Sequence, residues 1–174
     1  MARVRLIEKE HAPPEVRELF QKIENNGNRV LNIQKAIGHT PKITRDFIRF
    51  ANSVLYKAAL PAKLRELAIL RVAALTDANY EWTQHVRVAL QTGVPQKQID
   101  AIHQWKNSAE FNNMERAVLQ YTDEETQNIC VSDKSFATMK NMLSEQEIIE
   151  LTITIGCYNM ISRILETLQV ELES

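Results

Sequence analysis

Glu81 and His85 stand four residues apart in the run Tyr80-Glu81-Trp82-Thr83-Gln84-His85, with two aromatic rings beside them. On a helix that spacing places the carboxylate and the imidazole about 40° apart around the axis, close enough to touch. A carboxylate favours the charged imidazole, and histidine is the side chain that exchanges protons near neutral pH, so such a pair suits general acid–base work. The plain alternative is a helix-edge contact worth about 0.3 kcal/mol. On spacing alone that alternative is the stronger.

A second source of chemistry lies upstream, in Ala62-Lys63-Leu64-Arg65-Glu66-Leu67-Ala68-Ile69-Leu70-Arg71-Val72-Ala73-Ala74-Leu75-Thr76. Projected on a helix, this segment is apolar all round, the pattern of a buried helix. Past its first turn only Glu66 and Arg71 are charged. Burial costs a charge heavily unless it is paired. Arg71, on the most apolar side, therefore needs a carboxylate from a neighbouring helix, or it opens onto a pocket and anchors an anion. Glu66, if desolvated, becomes a proton donor near neutrality. Glu66, Glu81 and His85 also count as three metal-ligand types. Yet there is no H-E-x-x-H pattern or His/Cys cluster, and His11, His39 and His103 lie in separate segments, so no metal is expected.

The elements that must position these residues read as helix after helix. Pro13-Pro14 opens a first helix, and Asn25-Asn26-Gly27 closes it. A short helix over about 29–38 and another from Pro41 follow. Pro61 opens the apolar helix, and Asp77 or Asn79 caps the one carrying Glu81 and His85, which stops at Gly93. Pro95, Asn112 or Asn113, and Ser132 start three more. Ser144-Glu145-Gln146-Glu147 is a capping box before a long final helix. On the second Glu/His helix, Trp82, Val86, Ala89 and Leu90 form the apolar stripe. Tyr80, Gln84, Arg87 and Gln91 form the polar face, with Glu81 and His85 at the boundary between the two. The fold class is all-α.

With 174 residues, one domain is expected. The formal net charge is −1 and no basic block occurs, which argues against nucleic acid or an anionic membrane as partner. No signal peptide is evident and no window approaches the roughly 18–20 apolar residues of a membrane span, so a cytoplasmic protein is expected. Cys130 and Cys157 are isolated thiols without a C-x-x-C spacing.

The strings Leu64-Arg65-Glu66-Leu67-Ala68-Ile69-Leu70, Ala78-Asn79-Tyr80-Glu81-Trp82-Thr83-Gln84-His85 and Ala89-Leu90-x-x-Gly93 together resemble the carboxymuconolactone decarboxylase family, which includes the alkylhydroperoxidase D-like peroxidases. The resemblance covers roughly 40–121, and helices within 132–172 are expected to complete the fold and an oligomer interface. It implies an all-helical single-domain bundle that assembles as a trimer or hexamer, with the active pocket near a subunit interface. In the peroxidase branch a C-x-x-C-x-x-x-H motif does thiol chemistry, assisted by an upstream glutamate. Anchored on His85, the two cysteine positions fall on Ala78 and Glu81, and the glutamate falls on Glu66. Alanine and glutamate form no thiolate and close no disulfide, so peroxidase chemistry of that type is not expected.

The decarboxylase branch has no cysteine pair and uses no cofactor. The resulting expectation is a cofactor-free enzyme acting on a small anionic substrate, a carboxylated lactone or related acid. His85 would shuttle the proton, Glu81 would orient it and Glu66 would stand in support, while Arg71, Tyr80 and Trp82 would contact substrate. The competing expectations are a peroxide-reducing antioxidant protein and a non-catalytic oligomeric module whose motif survives as packing. The pattern Tyr158-Asn159-x-x-x-Arg163 repeats the layout of Tyr80-Glu81-x-x-x-His85, a weak hint of internal duplication.

Overall fold

A computed structural model describes residues 2–173, and all regular secondary structure among them is helical. The helices are α1 (Pro14–Asn25), α2 (Asn32–Ile37), α3 (Pro41–Tyr56), α4 (Ala62–Leu75), α5 (Asn79–Gln91), α6 (Gln96–Ala101), α7 (Asn113–Asn128), α8 (Asp133–Lys140) and α9 (Glu145–Leu168), with 3₁₀ turns at Lys9–His11 and Ile102–Asn107.

Most helix ends follow the punctuation of the sequence. Pro61 precedes α4 and Pro95 precedes α6. Asn112 caps α7 as a capping box: its Oδ1 accepts the Glu115 N–H at 2.9 Å, and Glu115 Oε2 accepts the Asn112 N–H at 3.0 Å. Ser144 and Glu147 form the same box on α9, with Ser144 Oγ accepting at 3.3 Å and Glu147 Oε2 at 2.8 Å. Two expectations are corrected. The second helix is shorter, because it begins only after Leu31, whose N–H donates to Gln34 Oε1 at 2.9 Å. Neither Asp77 nor Asn79 caps α5; Ala78 holds that position, since Asp77 sits at φ +51° and terminates α4 instead.

The chain divides into two compact units. The first comprises residues 2–53 and 164–173, with a core of Ile7, Ala12, Val16, Phe20 and Val30. Its ends are tied by the Arg3 N–H to the Leu168 carbonyl at 2.8 Å and by the Asn32 N–H to Glu173 Oε1 at 2.6 Å.

The second unit, residues 54–163, is organised around α4. Every residue from Leu64 to Ala73 is buried, as an apolar circumference requires. α4 packs on α5, α7 and the Ile102–Asn107 turn over a core that includes Leu67, Leu70, Ala89, Ile99, Ile102, Trp105 and Leu119. α9 is long and apolar enough by composition to span a membrane, with a mean hydropathy of 1.3 over its most apolar 18-residue window. That corrects the expectation that no window comes close. The window is 56% buried inside the fold, as in a core helix.

Candidate active site

Glu66 projects from the sealed middle of α4 and has no exposure to solvent. Its two carboxylate oxygens are divided between two cations or cation-forming groups. Oε2 lies 2.8 Å from His85 Nδ1 on α5, and Oε1 accepts from Arg65 Nε at 3.3 Å. On the other side of the imidazole, Nε2 stands 3.5 Å from Glu81 Oε2. That distance is too long for a hydrogen bond but close for an ion pair. The histidine ring is thus bracketed by two carboxylates, with the tight contact at Nδ1.

The group is buried throughout: Arg65 is 7% exposed, Glu81 5% and His85 7%. Arg65 and the His85 ring between them face both carboxylates, so neither buried carboxylate is left without a partner. α9 closes the site. The Tyr158 ring meets His85 edge-on, with centroids 4.8 Å apart and planes at 88°. Burial, with the nearby charges of Glu81 and Glu66, holds the Tyr158 phenol well above its ordinary range, so it stays neutral. Burial, reinforced by the Glu81 charge, pushes the neighbouring Cys157 thiol up to about 11. Among the described residues no set of His, Cys, Asp and Glu side chains is arranged to hold a metal ion.

Three of the residues picked out from sequence are brought together here: Glu66, Glu81 and His85. Their environment differs from the expectation. Glu81 and His85 are not on a half-wet edge, and Tyr80, assigned to the polar face, is 3% exposed. The nearest partner of His85 is Glu66, nineteen positions away, rather than Glu81.

Arg71 and Trp82 are engaged elsewhere. Arg71 Nε donates to Asp123 Oδ1 of α7 at 2.6 Å, and its Nη1 reaches the carbonyls of Ile102 at 3.1 Å and His103 at 3.3 Å. Trp105 Nε1 donates to the other Asp123 oxygen at 3.2 Å. This is the neighbouring-helix carboxylate that a buried arginine at this position requires. Trp82 is half-buried, packs on the core and lies against the His103 ring at 5.0 Å.

Arg65 and Tyr158 were missed as site residues. Arg65 sits in the first turn of its helix, where a charge is usually solvated. Tyr158 entered the reading of the sequence through the weak internal repeat, with no role in the site. The two halves of that repeat do share a contact: Arg163 Nη1 donates to Asn159 Oδ1 at 3.0 Å, the same i,i+4 relation as His85 to Glu81.

The sequence profile of the carboxymuconolactone decarboxylase family matches residues 41–124, which include the whole Arg65–Glu66–Glu81–His85 group. No curated protein matches the chain in sequence. Several solved structures share the fold. An uncharacterized peroxidase-related protein from Silicibacter sp. TM1040 superposes with a TM-score of 0.85 at 14% identity, over 99% of this chain and 92% of that one. A variant of the debrominase Bmp8 in complex with 2,3,4-tribromopyrrole gives 0.82 at 19% identity, over 98% and 91%. An Agrobacterium tumefaciens protein of unknown function gives 0.74 at 22% identity, over 79% and 95%.

Proposed function

We propose that the chain, whose residues 41–124 match the profile of the carboxymuconolactone decarboxylase family, is a cofactor-free enzyme. The reaction is proton transfer coupled to decarboxylation, or a closely related step, on a small carboxylated lactone. The observation that carries this reading is the 2.8 Å contact between His85 Nδ1 and the fully buried Glu66 carboxylate. A histidine held at Nδ1 has Nε2 as its working nitrogen, and a buried carboxylate at Nδ1 orients the ring.

In the proposed step the bond from the substrate carbon to its carboxylate breaks and CO₂ leaves. The electron pair remains as a dienolate, and His85 Nε2 delivers a proton to carbon. Glu81, at 3.5 Å from Nε2, reloads the ring with a proton drawn from solvent. Tyr158 restrains the ring from its edge. Arg65 takes the anion-anchoring role first considered for Arg71: its Nε is held by Glu66, and its two terminal nitrogens take no part in that contact.

A thiol peroxidase reading draws support from the descriptions of structurally similar proteins, but its chemistry needs a thiolate. Ala78 and Glu81 occupy the motif positions. With its pKa at about 11, Cys157 would be roughly one part in ten thousand ionised at pH 7. Acid–base catalysis is therefore the better-supported reading.

The test is CO₂ release from a panel of small carboxylated lactones. Glu66→Gln is expected to lower kcat about 10²-fold and to change the pH–rate profile, and Glu81→Gln to slow turnover less. If both variants turn over every accepted lactone at the wild-type rate, the assignment fails.

A further inference from the structure

α3 turns one side into the fold, where Thr44 and Ile48 are buried. On the side away from them Lys42, Arg45 and Arg49 follow one another at steps of three and four residues, which keeps them in one exposed strip. Beside that strip Ile43 is 65% exposed and Phe50 43%. Seven residues apart, these two also lie on one line along the helix. Exposed apolar side chains next to a row of cations are the pattern of a helix that lies in a membrane interface.

A fourth cation joins from a distant part of the sequence. His39 Nε2 donates to the Arg5 carbonyl at 2.8 Å, which pins residue 5 beside the turn that leads into α3, and Arg5 is exposed there. Among the described residues the side chains of Arg5, Lys42 and Arg49 make no hydrogen bond and no ion pair. Arg45 is paired with Asp46, the one carboxylate of α3, at 3.1 and 3.3 Å. Glu15 of α1 acts on Arg45 as well, from beyond ion-pair distance. Arg5, Lys42 and Arg49 therefore remain uncompensated.

We propose that this face of α3 is a docking surface for an anionic lipid bilayer, with Arg5, Lys42, Arg45 and Arg49 on the phosphate headgroups and Ile43 and Phe50 sunk into the boundary beneath them. Charge complementarity selects the lipid: cations gathered on an amphipathic helix are drawn to acidic headgroups, each adding about fivefold to binding near the surface. The formal net charge of −1 hides this, because it averages the whole chain while the fold collects these four on one side of its first unit. Attachment of this kind is peripheral and reversible.

The apolar pair decides between a bilayer and other polyanions. A nucleic acid would satisfy the four cations and could stack a base on Phe50, but it has no apolar medium for the branched side chain of Ile43, the more exposed of the two. The edge of a bilayer takes both side chains out of water while its headgroups meet the arginines and the lysine. Asp46 does not spoil the contact, since its carboxylate is already held by Arg45.

The experiment is co-sedimentation of the full chain with vesicles of phosphatidylcholine alone and of phosphatidylcholine with about 30% phosphatidylserine, at about 0.1 M salt. Three uncompensated cations should make binding to the acidic vesicles roughly 100-fold stronger, and about 1 M salt should remove the difference. The Arg45→Glu/Arg49→Glu double variant should fall to the level seen on neutral vesicles. The Ile43→Ser/Phe50→Ser double variant, with its charge unchanged, should bind the acidic vesicles at least about tenfold more weakly. Circular dichroism shows that both keep the fold. Indole emission from a Phe50→Trp variant should be quenched by brominated lipid. Equal binding to the two kinds of vesicle, or binding indifferent to Ile43→Ser/Phe50→Ser, overturns the proposal. A single-stranded thymidine oligomer bound more tightly than the acidic vesicles at the same salt would give the face to nucleic acid and overturn it too.

Discussion

Replacing Arg71 by methionine separates a structural role from a substrate-binding one. The Arg71–Asp123 pair is almost dry, with side-chain exposures of 11% and 5%. Removing one member of such a pair leaves the other charge buried, at a cost of about 3–5 kcal/mol. Asp123 would keep the Trp105 indole at 3.2 Å and the largely exposed Lys106 ammonium at 3.3 Å, which places the loss near the lower end. The carbonyls of Ile102 and His103 would lose their donor as well. We expect Arg71→Met to destabilise by about 3 kcal/mol, a fall in Tm of roughly 6–12 °C for a chain of this length. Adding Asp123→Asn removes the stranded charge while still accepting from Trp105, and should recover about 1–2 kcal/mol. Urea denaturation of the wild type, both single variants and the double variant closes the cycle. A loss under about 1 kcal/mol for Arg71→Met, or a double variant as unstable as the sum of the singles, refutes the reasoning. Either result would return Arg71 to the candidates for anion binding.

Glu125→Gln tests a half-buried charge, with the opposite sign. The Glu125 carboxyl rises from 4.5 to about 7 in the folded chain, so the penalty for ionising it is absent below pH 4.5, grows between the two values and is complete above 7. After allowance for the water that reaches this half-buried group, the amide should stabilise the chain by about 1–2 kcal/mol at pH 8 and by nothing at pH 4, measured by denaturant melts at both. The thiols should differ sharply in reactivity. Exposed Cys130 should alkylate readily at pH 7, while buried Cys157, with its pKa near 11, should react only as the fold opens. Mass-resolved labelling with iodoacetamide decides it, and rapid modification of Cys157 in the native state would contradict the burial argument.

Most of the helical punctuation could be read from single residues, because capping is local: Pro61, Asn112 and Ser144 each act within four positions of themselves. The failure at Asp77 was also local. A residue able to cap one helix can instead end the preceding one, and here it adopts the left-handed conformation. The need of Arg71 for a carboxylate followed from burial alone, although nothing in its own helix pointed to Asp123. The site itself was half visible. A helical projection finds the i,i+4 relation of Glu81 to His85. It cannot show that Glu66 is the closer partner, nor that Tyr158 of α9 covers the pair and makes an apparent helix edge a buried site. Those contacts depend on how three helices pack, and no spacing within one helix encodes that.

The proposal that this chain's chemistry is acid–base and runs without sulfur rests most directly on one comparison. CO₂ release from a carboxylated lactone would be measured side by side for the wild type, the Cys130→Ser/Cys157→Ser double variant and His85→Ala. The expected result is wild-type turnover without cysteines and a loss of at least about 10²-fold without the imidazole. Turnover that survives in His85→Ala, or that disappears with the two thiols, would contradict it.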